Sequence, residues 1–191
     1  MGWSESVWNT VLIYTLEGAV WLNQYIPIIS AFIEKLLDLD EAWRYRVVTC
    51  GEETHLAYNR VALTDYFQHR SVDQLFLNPP EWYTANQGPE RFQFHIGERV
   101  AFVDTAAHSV KTSHDRDINY DICVLATGSN AGFPRYCSAD RAASVDGIFV
   151  YRNIADLDKL LAYAERDGVK GGKAVVIGGG LLGLEAAKAG K

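Results

Sequence analysis

The sequence has little that could serve as a covalent or metal framework. Its three cysteines, Cys50, Cys123 and Cys137, are odd in number, widely spaced and form no C-x-x-C pair. That excludes a disulfide scaffold and the usual zinc-ligand spacings, so no metal site is expected. Cys50 and Cys123 lie in the apolar runs VVTC and DICVLAT, where they read as small buried hydrophobes in a reducing, cytoplasmic setting. An excess of positive charge is missing too. Eighteen Lys and Arg against 24 Asp and Glu leave a net charge of -6, which argues against nucleic acid as a partner.

Unbroken apolar runs are also absent. Val11–Phe32 is interrupted by Glu17, Asn23, Gln24 and Pro27, whereas a bilayer span needs about 20 mostly apolar residues. The opening lacks the basic stretch and cleavage site of a signal peptide. A membrane partner is therefore not expected; an amphipathic surface helix, or a stretch packed on nothing in particular, is. Glycine is missing between Gly18 and Gly51, yet eight of the 16 fall between Gly168 and Gly190. Four of the five tryptophans lie in the first 43 residues. Both ends depart from an otherwise ordinary composition, 48% hydrophobic and 22% charged, which excludes a disordered chain.

What is present alternates between helical and strand periods. AFIEKLLDLDEAW has helical apolar spacing from Ala31, and YRVVTCGEE follows as a buried strand. The stretch from Thr54 predicts a loop with one or two short helices, stopped by Pro79 and Pro80. FQFHI, RVAFVD and HSVKT predict an antiparallel meander, and NYDICVLAT a strand buried on both faces. GIFVY predicts a further strand, DLDKLLAYAER a helix, and KAVVIGGGLLGLEAAKA a strand, glycine turn and helix. The class is α/β with an antiparallel insert.

One motif carries chemistry. Gly178-x-Gly180-x-x-Gly183 follows an expected strand and opens an expected helix. Gly178 permits the tight turn, Gly180 lets the backbone approach a pyrophosphate, and Gly183 lets helix and strand pack closely. A glycine turn without a ligand is the bland competitor. Glu52 and Glu53 close the strand before them, where an acid can hold ribose hydroxyls, and Leu125–Ser129 offers a small-residue turn for close backbone approach.

Taken together, AFIEKLLDLD, GEETHLAYNRVALTDYFQHR, LNPPEWY, NYDICVLATGS, GIFVYRNIADLDKL and AVVIGGGLLGLEAAKA resemble the pyridine nucleotide–disulfide oxidoreductase superfamily. The likeness is greatest to the amino-terminal flavin portion of assimilatory NAD(P)H nitrite reductase. The resemblance implies an incomplete FAD-binding Rossmann-like domain over residues 31–150, carrying the β-meander, and the first strand-turn-helix of an NAD(P)H-binding domain over 151–191. Residues 1–30 then stand outside the family pattern, as a mis-joined exon, an intron read-through or a frame change would leave them. The family's first glycine loop is replaced by NQYIPIIS, where Ile28 and Ile29 would crowd a phosphate.

By position, the resemblance makes Glu52 the acid on the adenosine ribose of FAD and Arg60 the arginine near its phosphates. Val100 becomes a backbone contact to adenine, and Thr127 and Gly128 the turn lining the flavin. Gly178, Gly180 and Gly183 become the NAD(P)H pyrophosphate loop, with Glu185 toward the nicotinamide. Each has a plain alternative: a solvated strand end for Glu52, a surface ion pair for Arg60, a helix-start acid for Glu185. The implied activity is hydride transfer from NAD(P)H to FAD. The iron–sulfur and sirohaem centres, and the homodimer contacts of the full-length family, lie in parts this sequence does not contain. Two rivals remain: a ferredoxin- or rubredoxin-type flavoprotein reductase, and a non-catalytic nucleotide-binding fragment. The relatives of the first kind commonly carry a lysine shortly after the Leu-Ser of the corresponding loop, whereas Leu63-Thr64 is followed here by Asp65. For the chain alone, an inactive fragment is the preferred expectation.

Overall fold

A computed structural model describes residues 9–15, 28–128 and 131–189, with residues 9–15 and 28 given by backbone alone. The chain divides into two compact units, Met1–Tyr58 with Phe76–Ser129 and Asn59–Leu75 with Asn130–Lys191. The seven strands among the described residues lie in the first: β1 Asn9–Thr15, β2 Tyr45–Gly51, β3 Phe92–Ile96, β4 Val100–Asp104, β5 Ser109–Thr112, β6 Asp117–Asn119 and β7 Ile122–Ala126. They form a four-stranded sheet in the order β3-β2-β1-β7 and a three-stranded sheet in the order β4-β5-β6. Every pairing in the larger sheet is parallel and every pairing in the smaller one antiparallel.

The sheet acquires its two covered faces from the alternation along β2. Val47 packs with Ile33 and Leu37 of α1 (Ile28–Leu39), with Phe92, and with Tyr83 of α3 (Pro80–Asn86). Val48 and Cys50 pack on the other side with Val100, Val110 and Ile118 of the meander. Helix α1 serves this face because Ile29, Ile33, Leu36 and Leu37 recur at helical spacing. Its exit is set by Asp40, whose buried carboxylate accepts the backbone N–H groups of Arg44 at 2.9 Å and Tyr45 at 2.8 Å. Burial pushes that carboxyl up, but the two amides and the Arg44 guanidinium outweigh it and hold it below the ordinary value.

The second unit is helical among the described residues, with α2 Leu63–His69, α4 Ala139–Ser144, α5 Ile154–Ala164 and α6 Leu181–Ala189. Helix α5 starts where it does because Asn153 and Asp156 form a reciprocal capping box. Its Ile154, Leu157 and Leu161 are buried.

Several sequence expectations are corrected. Of the opening, Asn9–Thr15 form β1 rather than a surface helix or unpacked stretch, and residues 16–27 lie outside the described residues: NTVLIYT is β-branched and aromatic, and lies between β2 and β7. FQFHI joins the parallel sheet beside β2 instead of the meander, and NYDICVLAT divides into β6 and β7. Strand β7 is not covered on both sides, since Ile122 and Leu125 are 48% and 65% exposed. Pro80 begins α3 instead of ending a helix, because the first helical position needs no N–H. Neither GIFVY nor Ala174–Ile177 is a strand: β-branched composition makes no ladder without a neighbouring strand, and the second unit offers none among the described residues. The stretch NQYIPIIS in place of a first glycine loop falls largely outside the described residues; only Ile28–Ser30 are described, and they open α1.

Candidate functional site

The carboxyl edge of the parallel sheet gathers part of the expected site. In register, Thr15 lies between Gly51 of β2 and Ala126 of β7. The residues that follow those two neighbours are Glu52 and Thr127-Gly128. Chain order reverses at β1, with β2 on one side and β7 on the other. Open α/β sheets bind ligands outside their carboxyl ends at such a reversal. Gly128 takes a left-handed backbone, φ 61°, which explains the glycine after Thr127.

The two acids of the GEE run are distinguished by their partners. The Tyr58 hydroxyl donates to Glu53 Oε2 at 2.6 Å. Among the described residues the exposed Glu52 side chain has no hydrogen-bond partner. Glu52 is thus the carboxylate available to external hydroxyls. Val100 begins β4 with its side chain buried among Val48, Cys50, Val110 and Ile118, which leaves only its backbone for any other role.

Arg60 and the glycine loop belong to the second unit. Arg60 starts the short 3-10 turn Arg60–Ala62 and donates from Nη1 to the Arg152 carbonyl at 3.2 Å. In the glycine loop, Gly178 has φ 133°, and a β-carbon on Gly183 would collide with the Gly178 carbonyl oxygen. A β-carbon on Gly179 or Gly180 would meet nothing within 4 Å. The turn is closed at Gly183 and open at Gly180, as a backbone cradle for a phosphate group requires. Gly180 accepts the first helical bond from Leu184 N–H at 3.1 Å, leaving the N–H groups before it without helical partners. Glu185 is half-buried one turn into α6. Its charge reaches Tyr151, whose phenol is pushed up first by burial and then by Glu185 and Asp65, against the Thr64 hydroxyl 3.3 Å away.

Cys50 is no nucleophile: burial, reinforced by Glu98, pushes its thiol up to about 12. No helix among the described residues is long and apolar enough to cross a membrane. A shallow cavity lined by Trp43, Gln87, Arg91 and neighbours lies at the amino ends of β2 and β3, away from the carboxyl edge.

Sequence reading missed a buried carboxylate behind Glu52. Glu98 is 3% exposed and accepts from the Thr112 hydroxyl at 2.5 Å and Arg116 Nε at 3.0 Å. His95 and His114 bring Nδ1 to 3.7 and 3.6 Å of its other oxygen. Desolvation raises the Glu98 carboxyl, and the hydroxyl, guanidinium and His95 outweigh it, holding the group below its ordinary value. The only sequence signal was a turn-like Gly97-Glu98 between two strands, which reads as an exposed hairpin.

A parallel sheet with a chain-order reversal, an acid and a Thr-Gly turn at its carboxyl edge has the architecture of dinucleotide-binding α/β proteins. The chain belongs to the pyridine nucleotide-disulphide oxidoreductase family, whose pattern matches residues 33–190. It is 48% identical over 160 residues to an NAD(P)H nitrite reductase of Emericella nidulans, covering 83% of this chain and 14% of that protein. With an NAD(P)H nitrite reductase of Neurospora crassa it shares 45% identity over 165 residues, again 83% of this chain and 14% of the relative. The fold matches a ferredoxin reductase from Rhodopseudomonas palustris at TM-score 0.70 and 23% identity, over 95% of this chain and 40% of that one. The chain therefore spans a small part of the relatives it matches.

Proposed function

We propose that this chain is the cofactor-binding flavin portion of an NAD(P)H-dependent oxidoreductase of the nitrite reductase line. The reading rests chiefly on one observation: Glu52 and Thr127-Gly128 follow the two strands that flank the carboxyl end of β1, and the Glu52 carboxylate has no hydrogen-bond partner among the described residues. In this reading residues 31–150 form the FAD-binding part, to which β1 adds its strand, and 151–191 begin the NAD(P)H-binding part. Glu52 accepts the adenosine ribose hydroxyls, Val100 offers backbone to adenine, and Thr127-Gly128 lie along the flavin. Arg60 serves the FAD phosphates. Gly178, Gly180 and Gly183 hold the pyrophosphate of NAD(P)H at the amino end of α6, and Glu185 faces the nicotinamide end. FAD, once bound, supplies the acceptor for hydride from NAD(P)H; the protein binds and orients the two.

The 48% identity to a nitrite reductase favours nitrite reduction in nitrate assimilation as the parent activity, with iron–sulfur and sirohaem centres in other parts of the parent. Asp65, near where the ferredoxin- and rubredoxin-type reductases commonly carry lysine, weighs against that alternative. Free cysteines and a net charge of -6 support a cytoplasmic protein whose partners are dinucleotides, not nucleic acid or membrane. These 191 residues alone bind FAD without turnover, since Ala174–Ile177 lacks the strand ladder on which the glycine loop should stand. The test is the visible spectrum of the purified chain. Flavin bands that NADH does not bleach are expected. A colourless protein overturns the FAD reading, and bleaching by NADH overturns the claim that the chain alone is inactive.

A further inference from the structure

The backbone that carries Glu52 is clamped from one side. Gly97 N–H donates to the Glu53 carbonyl and Glu98 N–H to the Gly51 carbonyl, each at 2.8 Å, so two successive amides bracket Glu52. Gly97 reaches this position with φ 69°, in the left-handed region that favours glycine. The clamp is itself fixed. The Glu98 carboxylate is tied to Thr112 and Arg116, and Arg99 exchanges bonds with Ser113: its N–H donates to the Ser113 hydroxyl at 3.1 Å, and its carbonyl accepts the Ser113 N–H at 2.7 Å. The meander thus holds the turn after β3, and that turn holds the end of β2.

A carboxylate that accepts two vicinal hydroxyls must be placed to within about half an ångström. Among the described residues Glu52 has no side-chain partner of its own to provide that placement. We infer that Glu98 is a positioning residue for the ribose-binding acid: its buried bonds to Thr112 and Arg116 set the Gly97–Glu98 amides that fix the backbone at Glu52. The inference rests on the proposed assignment of Glu52 to the adenosine ribose of FAD. It adds to that assignment a residue 46 positions further along the chain.

A double-mutant cycle read by FAD affinity tests it. FAD is titrated into the full chain and into Glu52→Gln, Glu98→Gln and the double variant. Each single change is expected to weaken FAD binding roughly tenfold, the loss of about one charge-assisted hydrogen bond. The double variant is expected to bind within about twofold of Glu52→Gln, because a positioning residue has no effect once the group it positions is gone. A general structural role gives losses that multiply, to about a hundredfold, and overturns the inference. If Glu98→Gln does not fold, Arg116→Gln, whose side chain is 49% exposed, takes its place in the same cycle. An unaltered chain that takes up no FAD overturns the FAD reading and this inference with it. Multiplying losses in a chain that binds FAD overturn the inference alone.

Discussion

Gly183 sits so close to Gly178 that a β-carbon on residue 183 would collide with the Gly178 carbonyl oxygen and lie 2.9 Å from its carbon. No side-chain adjustment relieves a clash with backbone. Gly183→Ala is therefore expected to open the turn and cost about 1–3 kcal/mol locally. Hydrogen exchange at the Leu184–Ala187 amides should report it as lost protection. Gly179→Ala, where nothing lies within 4 Å, is the control and should change stability by no more than about 0.5 kcal/mol. Equal protection in the two variants would contradict the closed turn.

The thiols should react in a definite order. Cys50 is buried with its thiol pushed up to about 12, and burial also raises Cys123, so neither has appreciable thiolate at neutral pH. With a thiol-reactive chromophore, one equivalent, Cys137, should react in native buffer and the other two only in denaturant. Fast labelling of Cys50 in the native chain would refute the buried environment given to it.

Acid should weaken the first unit in two stages. His95 is held below its ordinary value first by burial and then by Arg116, so the unfolded state takes up its proton first. Its contribution is complete above about pH 6.5 and declines below that. Glu98 and Asp40 are also depressed, so their contribution is present above about pH 4.3 and 3.9 and is lost as pH falls further. Asp156 lies in the second unit, where its carboxyl, raised by burial, works in the opposite sense and favours that unit's folded state as it protonates. Urea midpoints should fall from pH 7 to 5.5 and again toward pH 4, and His95→Gln should flatten the first fall. A midpoint that rises between pH 7 and 5.5 would mean that folding strengthens proton binding at His95, the opposite of what its burial beside Arg116 requires.

The second unit is expected to depend on Leu157, which is fully buried. Leu157→Ala should cost about 2–5 kcal/mol, read from a denaturant titration. Asn153→Ala, which removes the cap of α5, should cost only about 0.5–2 kcal/mol in the same titration. A smaller loss at Leu157 than at Asn153 would show that α5 is held by its cap and not by its packing.

Much of the fold was legible because short-range physics wrote it. Helix α1, strand β2, α5 and the RVAFVD and HSVKT strands of the meander followed from periodicity, which is a property of neighbouring residues; FQFHI, read with them, went to the parallel sheet because pairing decides that. The β1 strand was misread because a short apolar run has the same composition in a buried helix and a buried strand, and only pairing with β2 and β7 decides between them. Ala174–Ile177 failed in the opposite direction: its composition says strand, and no strand among the described residues lies within its unit to pair with it. The glycine loop was readable since glycine spacing encodes backbone shape directly. Glu98 was not, because burial of a carboxylate depends on Thr112 and Arg116, 14 and 18 residues away.

By itself the sequence determined the α/β class, the glycine turn at 178–183 and the family resemblance, all of which depend on residue type and local spacing. Tertiary structure alone decided that β1 belongs at the centre of the parallel sheet. It also decided that Glu52 and Thr127 flank one strand end, and that Glu52, not Glu53, is the free acid. Those are relations between residues distant in sequence, and only pairing register and side-chain competition for partners can set them.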